Sequence, residues 1–210
     1  MKMVKNKKML ALAFIGVLAV AGITGGTLAY FTDSKVAENT ITMGDVDINL
    51  EEPEYDKNHP NKEITDVTPN QVIEKDPTIT IKEGSKAAYI RCKINVTSDD
   101  ETALPAGYAE ALIANTNMDM TLWKKGADGY YYYKNKVEPV APNNTVKFFS
   151  EVKIPETWGK EMANRSISMD VTAEAIQADN FTPAMDEDGF ITGWFMSDGT
   201  TPVTPDNYNN

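Results

Sequence analysis

Apolar and polar residues alternate one for one along several stretches of this chain, and that period of two restricts its fold more than anything else in the sequence. Val46, Ile48 and Leu50 alternate with Asp45, Asp47, Asn49 and Glu51. Ile79 and Ile81 alternate with threonines, and Ala88, Ile90, Cys92, Ile94 and Val96 with Tyr89, Arg91, Lys93, Asn95 and Thr97. Val146, Phe148, Val152 and Ile154 share one parity, and Ile167, Met169, Val171, Ala173 and Ala175 alternate with Ser168, Asp170, Thr172 and Glu174. Such alternation marks strands with one face inward and one toward water. Tyr130–Tyr133 and a stretch near Phe190–Phe195 bring the expected total to seven or eight strands. Glu83-Gly84-Ser85, Asp128-Gly129, Pro142-Asn143-Asn144 and Asp188-Gly189 supply turns between them. The pattern predicts an all-β, antiparallel β-sandwich.

One segment breaks the rhythm. Pro105 to about Asn117 is Ala-rich, with Tyr108, Ala109, Leu112 and Ile113 at helical spacing. It predicts one short inserted helix, with Pro105 in its first turn. Glu51–Asp76 is acidic, holds Pro53, Pro60 and Pro69, and reads as loose. Ser197–Asn210 reads as a disordered tail. That tail carries no Leu-Pro-x-Thr-Gly sorting motif, so wall attachment by that route is not expected.

The N-terminus reads as a targeting segment. Lys2, Lys5, Lys7 and Lys8 precede an apolar run from Met9 to Ile23. Thr27-Leu28-Ala29 then places small residues for a cut between Ala29 and Tyr30. The run is shorter than the roughly 20 residues a spanning helix needs. An uncleaved N-terminal anchor is the alternative. The expected organisation is a signal peptide over 1–29, an N-terminal strand over 30–44, a sandwich over 45–196 and a tail over 197–210.

Charge sharpens this division. The whole chain carries −11, from 20 basic and 31 acidic residues. Losing residues 1–29 removes four lysines and no acid, leaving 16 against 31 and a net charge of −15. A chain so acidic lacks the basic face that nucleic acid requires, so no nucleic-acid partner is expected. One Cys and one His rule out an internal disulfide and a Cys/His zinc site.

Thr27-Leu28-Ala29-Tyr30-Phe31-Thr32-Asp33, continuing to Asn39-Thr40-Ile41-Thr42-Met43-Gly44-Asp45-Val46-Asp47-Ile48, resembles the start of the TasA/camelysin family of exported Gram-positive proteins. Those proteins carry a SipW-dependent type of signal peptide. Gly84-Ser85-Lys86-Ala87-Ala88-Tyr89-Ile90-Arg91-Cys92-Lys93 and Ala173-Glu174-Ala175-Ile176-Gln177-Ala178 are also similar to family members. The resemblance implies a jelly-roll sandwich and cleavage by a SipW-like signal peptidase. It places the chain at the membrane only before cleavage, and afterwards in the extracellular biofilm matrix or at the cell surface. It further implies head-to-tail fibres of this one chain, alongside accessory matrix proteins. In such fibres the mature N-terminus of one subunit enters the next as a strand.

Here that donor would be Tyr30 to about Gly44, with Tyr30, Phe31, Val36, Ile41 and Met43 as its spaced apolar residues and Asp33 among the polar ones. The stretch has no Pro, so every residue can join a ladder. The alternative is that it forms the first edge strand of its own domain.

Catalysis has little to rest on. The family includes camelysin, described as a surface metallopeptidase, so a zinc endopeptidase is the enzymatic alternative. A His-Glu-x-x-His motif is absent, and His59 lies between Asn58 and Pro60 in a loop. No catalytic, cofactor or metal residue is expected. Asp186 and Asp188 offer at most a weak calcium loop, and a hairpin turn is the plainer use of that stretch. Cys92 shares the parity of Ile90 and Ile94 and is expected in the core. The tyrosines at 130–133 could make a sugar-binding face, but tyrosines on a two-sided strand more often divide between core and surface. A monomeric adhesin or binding module is the third reading.

Overall fold

The computed structural model describes residues 29–32, 46–98, 103–162 and 165–204. Thirteen strands run through these described residues: β1 (Ala29–Thr32), β2 (Ile48–Glu51), β3 (Glu63–Val67), β4 (Val72–Glu74), β5 (Thr78–Ile81), β6 (Ala88–Ser98), β7 (Trp123–Lys125), β8 (Tyr131–Tyr133), β9 (Thr145–Lys147), β10 (Glu151–Lys153), β11 (Ser166–Gln177), β12 (Thr182–Met185) and β13 (Ile191–Phe195). Two short helices, α1 (Pro53–Asn58) and α2 (Tyr108–Ala114), and a 3₁₀ turn at Lys160–Met162 complete them. A six-stranded sheet in the order β3-β1-β11-β6-β8-β7 faces β2-β5-β9 and the pair β10-β4 across one core. The chain is an all-β sandwich, as its alternation predicts.

The two longest strands are its spine. β6 and β11 pair antiparallel from Ile167↔Ser98 to Gln177↔Ala88 without a break. Ala175 sits opposite Ile90, Ala173 opposite Cys92, and Val171 opposite Ile94. All six are buried, so both strands bury the same parity and the register is fixed by the core. Ile79 and Ile81 of β5 and Val146 of β9 close the core from the other layer. After β9 the chain changes sheets: β9 pairs with β5, while β10 pairs with β4 three residues later. Phe148 and Phe149 are both buried at that switch, which a single continuous strand would not allow.

Four expectations need correction. Thirteen strands stand among the described residues where seven or eight were expected, because many of them are only three or four residues long. Glu51–Asp76 is not loose, since it forms α1, β3 and β4. Its apolar residues are few, but Tyr55, Val67 and Ile73 are all buried. Asp76, 1 % exposed, accepts hydrogen bonds from the backbone N–H groups of Glu54 and Tyr55, capping α1 from a distant segment.

The inserted helix is shorter than expected. Gly107 has φ 84°, a left-handed turn that a helix cannot contain, so α2 starts after it and Pro105 lies outside. At the other end Asn115 and Asn117 exchange backbone hydrogen bonds with β10, which draws the chain out of the helix.

The stretch from Ser197 to Thr204 is also ordered. Asp198 accepts from the N–H groups of Thr200 and Thr201, and the Val203 N–H donates to the Trp194 carbonyl, folding the segment back onto β13. The remainder of the expected tail lies outside the described residues.

Candidate assembly site

The expected cleavage point lies within β1: Ala29 and Tyr30 are its first two residues and Phe31 its third. The other expected donor residues, Asp33, Val36, Ile41, Met43 and Gly44, lie outside the described residues. β1 occupies an interior position in the six-stranded sheet. On one side it runs parallel to β11, with Tyr30↔Ser166, Phe31↔Ile167 and Thr32↔Ser168. On the other it runs antiparallel to β3, with Ala29↔Val67, Phe31↔Ile64 and Thr32↔Glu63.

These neighbours form unequal walls. β11 is regular and is held on its far side by β6, with Ile167 opposite Ser98 and Ser168 opposite Thr97. β3 bulges between the Ala29 and Phe31 pairings, and Asp66 there has φ 60°. Among the described residues β3 has no ladder partner but β1. Removing β1 would therefore open a slot with one firm wall and one wall that loses its only ladder. Such a slot offers backbone hydrogen bonds to an extended segment.

On the outer face of the same sheet, sequence reasoning missed a polar cluster. Arg91 of β6 and Glu174 of β11 sit directly opposite each other. The Arg91 Nε and Nη2 donate to Glu174 Oε2 at 2.8 and 2.6 Å, and Nη1 donates to the Tyr132 hydroxyl at 3.0 Å. The Tyr130 hydroxyl donates to Glu174 Oε1 at 2.7 Å. The guanidinium also lies 4.1 Å from the Tyr130 ring centre and 4.4 Å from that of Trp194. Trp194 brings the β12–β13 hairpin, so Arg91 holds that hairpin on the sheet. Burial lowers the Arg91 pKa, but Glu174 and Tyr132 outweigh it and hold it above its ordinary value. Burial pushes both Tyr130 and Tyr132 up to about 12. The signal available in the sequence was an Arg and a Glu on the outward parity of two strands. Their pairing depends on a register that spans 83 positions.

The remaining candidates are used structurally. Asp186 Oδ1 accepts from the N–H groups of Asp188 and Phe190, and its other oxygen contacts the Lys124 ammonium. This carboxylate is a turn cap inside a hairpin. The tyrosines divide: Tyr131 packs on Phe148 and Tyr133 on Trp123, while Tyr130 and Tyr132 surround Arg91. Cys92 is buried in the core, and burial, with Glu174 second, raises its thiol well above its usual value. His59 follows α1, donates its backbone N–H to the Tyr55 carbonyl, and packs its ring 5.0 Å from that of Tyr55.

Comparison with known proteins gives one result. Residues 4–103 match the family model described as camelysin metallo-endopeptidase. The match agrees with the N-terminal resemblance and reaches through β6, while Ala173–Ala178 lies beyond it. No curated protein and no solved structure matches the chain. The likeness supports a surface or secreted protein. The family is named for a metallopeptidase, but no group of three or more His, Cys, Asp or Glu among the described residues could hold a metal ion. No described helix is long and apolar enough to cross a membrane.

Proposed function

We propose, from the camelysin-family likeness of residues 4–103, that this chain is an exported structural subunit. It polymerises by passing its N-terminal strand to the next copy, in the extracellular matrix or at the cell surface. One observation carries the reading. A four-residue N-terminal strand fills an interior position of the sheet and is the one ladder partner of β3 among the described residues.

A segment from another copy can make the same backbone ladder, so exchange gives up little bonding. Cleavage between Ala29 and Tyr30 sets the timing, because only a free end can leave its own slot and enter another. The contact is head-to-tail and does not close, so it builds a filament. Tyr30, Phe31, Asp33, Val36, Ile41, Met43 and Gly44 belong to the donor. A SipW-like signal peptidase is the processing partner, and accessory matrix proteins are further candidates.

Mature chain beginning at Tyr30 should form filaments by electron microscopy. Chain with extra residues ahead of Tyr30, or lacking 30–44, should elute as monomer. If all three behave alike, strand exchange is wrong.

The family's name favours a second reading, a surface metallo-endopeptidase. Zinc analysis of the purified chain, with a chelator-sensitive casein assay, tests it. Absence of both metal and activity removes that reading.

A further inference from the structure

We propose that Lys75 and Glu52 condense to an internal amide, a covalent brace between the end of β4 and the start of α1. This inference is independent of the assembly reading. The Lys75 side chain is 1 % exposed and that of Glu52 14 %. The Lys75 nitrogen lies 2.9 Å from Glu52 Oε1 and 3.0 Å from Oε2. A nitrogen nearly equidistant from both oxygens meets the carboxylate at its two-oxygen edge. The carboxyl carbon is then within the range of about 3–3.5 Å from which reacting groups start.

The surroundings favour the reaction in three ways. The wholly buried Tyr55 ring lies 5.0 Å from the Lys75 nitrogen and helps close the pair off from water. Taking two charges out of water is costly, and an amide removes both charges. The pair is also held from both ends. The Lys75 N–H donates to the Ser150 carbonyl, and the next residue, Asp76, binds the first turn of the helix that Glu52 precedes. Groups fixed in this way reach effective concentrations on the order of 10⁵–10⁸ M, which offsets the unfavourable equilibrium of amide formation in water.

The step balances with no other reactant. An ammonium proton passes to the carboxylate along the existing hydrogen bond, giving an amine and a carboxylic acid. A turn about the Glu52 Cβ–Cγ bond tips the carboxyl group so that its face meets the nitrogen. The nitrogen lone pair forms the C–N bond, and the C–OH bond breaks. The hydroxyl departs with a nitrogen proton as water, through the exposed edge of Glu52. No atom is oxidised or reduced.

The test is the intact mass of the folded, full-length mature chain, followed by tryptic mapping. The expected mass is one water below that calculated from the sequence. The Glu52 peptide and the Lys75 peptide should be recovered as one branched species. Lys75→Arg keeps the charge but forms no amide, and should restore the full mass. The proposal is overturned by wild-type chain at full mass with both residues in separate, unmodified peptides. It is equally overturned by a water loss that maps elsewhere. The wild-type measurement decides the matter even if the variant fails to fold.

Discussion

Arg91 illustrates what a single side chain does in this sandwich. Its guanidinium is 14 % exposed and its partner Glu174 6 % exposed, so neither charge can turn to water if the other is lost. Removing one member of such a pair typically costs about 3–5 kcal/mol, because a charge is left buried without its counterion. Arg91→Ala should lower stability by that amount in urea unfolding. Arg91→Lys should recover less than half of it, since an ammonium cannot make the two-pronged contact or stack between two rings. A loss below about 1 kcal/mol would mean that water reaches Glu174. The neighbouring tyrosines add a dependence on alkali. Their folded pKa of about 12 exceeds the ordinary 10.0 because burial favours the neutral phenol. Their contribution is complete below the unfolded value and is lost as pH rises through the folded one. The urea midpoint should therefore fall between about pH 10 and pH 12, and Tyr130→Phe with Tyr132→Phe should flatten that fall. Each of these residues is plainly polar or aromatic in the sequence. That they form one cluster is a property of strand register, which local pattern does not carry.

Among the elements, length decided only part of what could be read in advance, since β5, β9 and β10 are short and still showed their parity through Ile79, Ile81, Val146 and Val152. β6 and β11 run eleven and twelve residues, long enough for the alternation to be unambiguous. β4 and β7 have three residues and β12 four, too few to show a period. The acidic stretch that holds α1 hid its order for another reason. Its stability comes from one wholly buried tyrosine and a remote carboxylate cap, neither of which is periodic. Asp76→Ala should therefore destabilise the chain by about 1–3 kcal/mol, the usual cost of stranding buried donors. The helical signal of α1 should fall in circular dichroism, with β6 and β11 unaffected. If the loss is spread over the whole sheet in hydrogen exchange, Asp76 supports more than the helix. Of the strand expected over 30–44 the structure describes residues 30–32, and nothing in the sequence marked β11 and β3 as its neighbours. Deleting residues 30–44 should speed amide exchange in Glu63–Val67 and leave Ala88–Gln177 pairings protected, because β3 loses its ladder and β11 keeps β6. Unchanged exchange in β3 would show that β1 does not hold it.

For the whole molecule, the charge balance would set the conditions of the proposed assembly. With residues 1–29 removed as proposed, the chain would carry −15, so two copies would repel as they approach. The donor adds little to that repulsion. Within 30–44 the charged side chains are Asp33, Lys35 and Glu38, and the proposed cleavage would add an α-ammonium at Tyr30, bringing the segment to zero. On the proposed exchange, repulsion would act between the acidic bodies and slow their encounter, while the donor strand, once seated, would be nearly indifferent to charge. Salt should shorten the lag before filaments appear, most steeply between about 0.01 and 0.15 M, where the Debye length contracts from about 30 Å to about 8 Å. Acid should act in the same direction, because protonating carboxylates reduces the net negative charge. The fold has a local safeguard in acid. Asp198, which caps the turn after β13, is lowered to about 2 by its hydrogen bonds to Thr201 and Thr200. A depressed carboxylate stabilises above its unfolded pKa and stops only as pH falls through the folded one, so this turn should persist at pH 4 to 5. Light scattering across a salt series at neutral pH, repeated near pH 5, reads both effects. A lag that lengthens with salt would mean that attraction between opposite charges, rather than backbone pairing against net repulsion, brings the subunits together.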